Sequence, residues 1–111
     1  ISEVYESKRM VNSTGPETWD VVSPYALRLT YTGEFLHGAP WNSAIGAANT
    51  SHGCTNVTVD DGRWLYERVL VGDVVEFADV DGDPVEAWNG LGGVWNIPWS
   101  TWRSMSALPA T

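Results

Sequence analysis

The chain has 111 residues, 43% apolar and 18% charged, with a formal net charge of −8 from six Lys and Arg against fourteen Asp and Glu. That length suits one domain with a modest core; the acidity excludes a polyanion binder, nucleic acid included; and the lack of any long apolar run excludes a membrane-spanning helix. Eleven glycines and seven tryptophans point to many turns and a few bulky packing anchors, not a helical bundle.

In chain order, Ile1-Ser2-Glu3-Val4-Tyr5 reads as the middle of a strand, so the chain is expected to be part of a longer protein. Val4 to Val11 has β character, and Asn12-Ser13-Thr14-Gly15-Pro16 is turn chemistry. From Ala26 to Tyr31 the pattern alternates, with Leu27, Leu29 and Tyr31 on one face and Ala26, Arg28 and Thr30 on the other, which predicts a half-buried strand. Thr32-Gly33 makes a tight turn and Glu34 to His37 returns as the hairpin partner, leaving His37 at a strand end. Residues 38–53 form a loop of small and polar residues, long enough to be functional. Thr58 with Asp61 resembles a capping box. Leu65 and Val69, four apart with Trp64 beside them, predict a helix over 59–70, stopped by Gly72.

Asp73 to Phe77 reads as a further strand. Asp79-Val80-Asp81-Gly82-Asp83 resembles part of a calcium loop but lacks the downstream Glu, so a hairpin turn at Asp81-Gly82 is expected. The tail from Trp88 to Trp102 is rich in glycine and tryptophan, and Pro98 opens one helical turn carrying Trp99 and Trp102. The acidic residues read as solvated surface and turns. The sum is a mainly β chain with one main α-helix, 59–70.

The chemistry concentrates in Ser51-His52-Gly53-Cys54-Thr55-Asn56, which holds the only cysteine. A lone Cys cannot form an internal disulfide, and with a histidine available it is the raw material of a thiol nucleophile and its base. The thiol must shed its proton to attack at neutral pH, and an imidazole serves that need. Backbone N–H groups around Gly53 and Cys54 suit a developing oxyanion. Two histidines compete as base. His52 is adjacent, and meets Cys54 only if the backbone between them is extended; His37, in His37-Gly38-Ala39-Pro40-Trp41-Asn42, reaches Cys54 only through folding.

Taken together, Ser51-His52-Gly53-Cys54-Thr55-Asn56, the upstream His37-Gly38-Ala39-Pro40-Trp41-Asn42, Trp64-Leu65-Tyr66 and Val71-Gly72-Asp73-Val74-Val75 resemble the signature of the L,D-transpeptidases, the YkuD-type catalytic domain of bacterial cell-wall enzymes. The tail Gly93-Val94-Trp95-Asn96-Ile97-Pro98-Trp99 through Trp102 is similar to the C-terminal extension of actinobacterial members. The resemblance implies a mixed β-sheet or sandwich of that catalytic type. Residues 1–111 are its C-terminal part, the N-terminal strands lying outside the chain, with 86–103 as a tryptophan-rich extension packed on it.

The resemblance also assigns roles. Cys54 is the nucleophile toward a peptidoglycan stem tetrapeptide, and His37 the general base. Gly38 orients His37 through its carbonyl, and His52 and Gly53 support the oxyanion site. Trp41, Asn42, Ser51 and Asn56 line the substrate site, with Ser51 and Asn56 shaping the loop and Trp41 weighed equally between pocket lining and core. Peptidoglycan stem peptides are the implied partners, carbapenem-type β-lactams the covalent inhibitors, and no cofactor or metal is implied. The implied location is extracytoplasmic, with the full-length protein anchored or secreted. An L,D-carboxypeptidase or endopeptidase using the same thiol, and a non-catalytic wall-binding fragment, are the alternatives.

Overall fold

A computed structural model describes residues 1–46, 54–78 and 81–108. Four strands, β1 (Glu3–Asn12), β2 (Trp19–Arg28), β3 (Phe35–Gly38) and β4 (Thr55–Val57), form one sheet in the order β1-β2-β3-β4, accompanied by the helices α1 (Val59–Tyr66) and α2 (Trp99–Ser104). A single 3-10 turn, Gly93–Asn96, precedes α2. The expectation of a mainly β chain with one main helix matches this architecture. No described helix is long and apolar enough to cross a membrane.

β1 and β2 make a long antiparallel hairpin, in register from Glu3↔Arg28 to Asn12↔Trp19. Its tip is tied by the Asn12 amide, which donates to the carbonyls of Thr14 at 3.0 Å and Glu17 at 2.7 Å. The ladder is interrupted where Glu6 would face Tyr25, and Tyr25 has φ +53°, a left-handed conformation unusual for a bulky residue. The interruption resets the alternation of side chains. Lys8 places its ammonium 4.8 Å above the Tyr5 ring, three residues back, although i and i+3 face opposite sides of a regular strand. The Tyr25 ring lies 5.4 Å from that of Tyr66 on α1, a contact that holds the turned-out conformation.

β2 turns into β3 through residues 29–34, with Gly33 at φ +104°, and the strands pair at Leu27↔Leu36 and Arg28↔Phe35. β3 and β4 are parallel, a pairing that requires a crossover of a dozen residues or more; residues 39–54 supply it. Thr58 caps α1, its hydroxyl accepting from the Asp61 N–H at 3.2 Å. α1 then packs on β2 and β3. The approach is close because both contacts are glycines. A Cβ on Gly62 would lie 3.3 Å from the Gly38 nitrogen, and one on Gly38 would lie 3.4 Å from the Val59 Cα. The core beneath is small: Ile1, Ala26, Leu27, Phe35 and Ala39.

Three expectations are corrected. The helix ends at Tyr66, not residue 70, because the Leu70 N–H is taken by the Asp73 carboxylate at 2.9 Å, and Leu70 and Val71 are exposed, so extending the helix buries nothing. Gly72, at φ +102°, serves a later turn. Asp73 to Phe77 forms no strand; it is tied to Ile1, whose N–H group donates to the Asp73 carbonyl at 2.7 Å while Gly72 donates to the Ile1 carbonyl at 2.8 Å. Gly82, at φ +125°, fits a turn, but no strand follows it, so there is no hairpin there; Asp79 and Val80 lie outside the described residues.

Candidate active site

The parallel register Leu36↔Thr55, His37↔Asn56, Gly38↔Val57 decides which side chains meet. Partners in register share a face, and so do residues two apart. Phe35 and His37 on β3 therefore look to the same side as Asn56 and the residue two before it, Cys54. His37, Trp41, Asn42, Cys54 and Asn56 all line one cleft of about 710 Å³. Ser51, His52 and Gly53 lie outside the described residues.

His37 is 4% exposed, and its Nδ1 is 2.7 Å from the Gly38 carbonyl oxygen. A carbonyl only accepts, so Nδ1 carries the hydrogen and Nε2 is left with a free lone pair. Burial pushes the imidazole pKa down from its ordinary value, and the Gly38 carbonyl partly offsets this. The ring is thus neutral at pH 7, with a basic nitrogen in a fixed tautomer. The Trp41 ring stands 5.8 Å away and is half-exposed on the cleft wall. The Asn42 side-chain Oδ1 accepts from the Ala44 N–H at 2.9 Å, which ties the start of the crossover.

Cys54 sits half-buried at the end of the crossover, its Sγ 3.9 Å from the Gly33 carbonyl. Its surroundings do not lower the thiol pKa. Desolvation raises it, the Phe35 N–H draws it partway back, and the Glu34 carboxylate raises it again. At rest this is a neutral thiol in one cleft with a neutral imidazole. Removal of the proton must therefore accompany attack on an electrophile, the task of a general base.

The cleft has a second wall that the sequence reading missed. The cross-strand partners Met10↔Val21 and Asn12↔Trp19 line it together with Lys8 and Arg28. Spacing of Lys8, Met10 and Asn12 at every second residue marked them as one face of a strand, but only the hairpin's fold back over β3 reveals what that face covers.

The family model of the L,D-transpeptidase catalytic domain, YkuD, matches residues 2–77. The chain belongs to this family. It is 43% identical over 98 residues to L,D-transpeptidase 2 of Mycobacterium tuberculosis (strain CDC 1551 / Oshkosh), a match spanning 87% of this chain and 23% of that protein. It is 35% identical over 88 residues to L,D-transpeptidase 5 of Mycobacterium tuberculosis (strain ATCC 25618 / H37Rv), spanning 77% of this chain and 19% of that protein. The chain thus covers about a fifth to a quarter of these relatives' length.

Among solved structures, it superposes on LD transpeptidase LdtMt1 in complex with imipenem with TM-score 0.61 and 30% identity, over 65% of this chain and 37% of that one. It superposes on an L,D-transpeptidase from Mycobacterium smegmatis with TM-score 0.60 and 33% identity, over 65% of this chain and 36% of that one. The fold is therefore that of L,D-transpeptidase catalytic domains.

Proposed function

We propose that this chain carries the acyl-transfer centre of a peptidoglycan L,D-transpeptidase. The observation that carries this reading is the neutral His37, tautomer fixed by Gly38, in one cleft with the Cys54 thiol. His37 Nε2 takes the thiol proton as Sγ attacks the carbonyl between the L- and D-centres of a donor stem tetrapeptide. Backbone N–H groups at Gly53 and Cys54, with His52 beside them, receive the oxyanion. The C–N bond breaks, the imidazolium returns its proton to the leaving amine, and D-Ala departs from a Cys54 thioester. A side-chain amine of a second stem then attacks the thioester, His37 again accepting a proton, and a cross-link forms as the thiol is regenerated.

Trp41, Asn42, Ser51 and Asn56 serve the donor site. Residues 86–103 are an extension packed on the catalytic part, a reading supported by Asn89 and Gly90 lying against the 29–34 turn. This chemistry belongs outside the cytoplasm, at the cell wall. Carbapenems acylate the same thiol, a reading supported by the relative solved in complex with imipenem.

The test is covalent labelling. Exposure to meropenem is expected to add one drug mass by intact mass spectrometry, and Cys54→Ala to abolish it; no adduct on the wild-type chain would sink the proposal. In stopped flow, His37→Ala is expected to eliminate acylation and His52→Ala to weaken it less, the reverse order refuting the choice of base. Muropeptide tetramers should yield dimers; tripeptides alone would identify a hydrolase.

A further inference from the structure

Two backbone groups flank the Cys54 sulfur, and both belong to the peptides on either side of Glu34. The thiol lies 3.9 Å from the Gly33 carbonyl oxygen, and the Phe35 N–H favours the sulfur's anionic form. The Glu34 side chain is fixed at this spot by a clamp. The Thr30 and Thr32 hydroxyls both donate to its carboxylate, Thr32 at 2.7 Å, and the Glu34 N–H donates to the Thr30 hydroxyl oxygen at 3.0 Å. Asn89 in turn holds Thr32 through two bonds, of 3.0 and 2.9 Å. Thr30 is 3% exposed and Glu34 half-buried, so water and salt screen the charge only in part. Cys54 and His37 line one cleft, whereas Glu34 lines a neighbouring one of about 1080 Å³ with Thr30, Thr32 and Thr55. The carboxylate therefore acts from behind the nucleophile and leaves the donor cleft unobstructed.

We infer that Glu34 is a positioning residue acting through Cys54: its clamped charge keeps the resting sulfur slow toward small soft electrophiles, so that the nucleophile is reserved for an acyl donor held within reach of His37. This rests on the acyl-transfer reading above and adds a device that regulates the same site. A small alkylating agent meets the sulfur alone. The S–C bond forms as iodide leaves, no base takes part, and the rate follows the thiolate fraction, which a like charge nearby lowers. Attack assisted by His37 starts instead from the neutral thiol, whose proton leaves as the new bond forms, so the same charge opposes it only in part. Among the described residues, the other charged or titratable groups around the sulfur are His37 on β3, Lys8 and Arg9 on β1 and Arg28 on β2. Those sharing the cleft of Glu34 are Asp73, Glu76, Asp81, Asp83 and Glu86, with the Ile1 amino group beside them. The thiol is raised above its ordinary 9.0 and His37 lowered below its ordinary 6.5, so their steps in a pH profile stand apart.

The test follows iodoacetamide alkylation of Cys54, the only cysteine, against pH by intact mass spectrometry, alongside stopped-flow acylation by meropenem. Removing the charge favours the thiolate. Glu34→Gln and Glu34→Val should therefore move the alkylation midpoint to lower pH and speed alkylation at pH 7 about threefold, while meropenem acylation rises by clearly less. Glu34→Asp, which keeps the charge, should stay near wild type. Wild-type midpoints in the neutral variants overturn the inference. So does an Asp variant that shifts with them, or an acylation gain equal to the alkylation gain. Circular dichroism identifies a misfolded variant, and either neutral variant decides alone. A wild-type chain that iodoacetamide alkylates but meropenem never acylates overturns the acyl-transfer reading itself, while the midpoints of the variants still judge the hold of Glu34 on the sulfur.

Discussion

A buried histidine held neutral makes the fold sensitive to acid. His37 is 4% exposed, and burial depresses its pKa below the ordinary 6.5. The unfolded chain therefore takes up a proton first as pH falls, so stability is intact above pH 6.5 and is lost from there downward through the folded value. Glu3 and Asp20 are held below their ordinary 4.5 and 3.8 by Tyr5 and Arg9, so they act only in stronger acid. The urea midpoint, followed by circular dichroism, should fall between pH 7 and pH 5, and His37→Gln should flatten that fall. An unchanged slope in His37→Gln would mean another group governs the transition. At this scale the sequence was informative about identity and silent about state. Cys54 and His37 stood out, but the raised thiol pKa follows from burial and from Glu34, which only the folded chain assembles.

At the scale of elements, the 29–34 turn is braced from far along the chain. The Asn89 carbonyl oxygen accepts from the Thr32 N–H at 3.0 Å, and its amide donates to the Thr32 hydroxyl at 2.9 Å. The Thr30 and Thr32 hydroxyls both donate to the Glu34 carboxylate. Gly90, at φ +114°, lies so close that a Cβ there would be 2.7 Å from the Leu29 carbonyl oxygen. Asn89→Ala removes both side-chain bonds, a cost of about 1–2 kcal/mol. It is expected to lower the denaturation midpoint and to slow acylation of Cys54, because the Gly33 carbonyl beside the thiol is no longer fixed. Wild-type values for both would contradict the bracing.

Local chemistry was readable in advance where it is self-contained: the Thr58 cap, the Pro98-led turn of α2, and the return of β3 through Thr32-Gly33. Non-local pairing was not. β4 is three residues long with polar Asn56 at its centre, and it is a strand only because β3 lies beside it. The middle of β2 carries Pro24, a residue foreign to central strands. It is tolerated there because β3 pairs only with Leu27 and Arg28, leaving that stretch locally an edge. Asp73 to Phe77 had the pattern of a strand but found no ladder to join.

As a whole molecule the chain is looser than its length requires. Its radius of gyration is 16.4 Å, against about 13 Å for a compact domain of this size. Six of its seven tryptophans are exposed, Trp99 by 75%. The folded protein should accordingly emit near the wavelength of water-exposed indole, and urea should shift that maximum only slightly while circular dichroism reports a clear transition. A large red shift on unfolding would show that the indoles are sheltered in solution.

The left-handed Tyr25 divides the hairpin into two mechanical parts. Inboard of it, Glu3↔Arg28 and Leu27↔Leu36 fix the strands on which His37 and Cys54 depend. Outboard, Lys8, Met10, Trp19 and Val21 lie where β3 no longer pairs with β2. Residues at the tip take no part in the pairs that set the register beneath the nucleophile. One wall of the cleft is thus free to diversify while the chemistry at its floor stays constant.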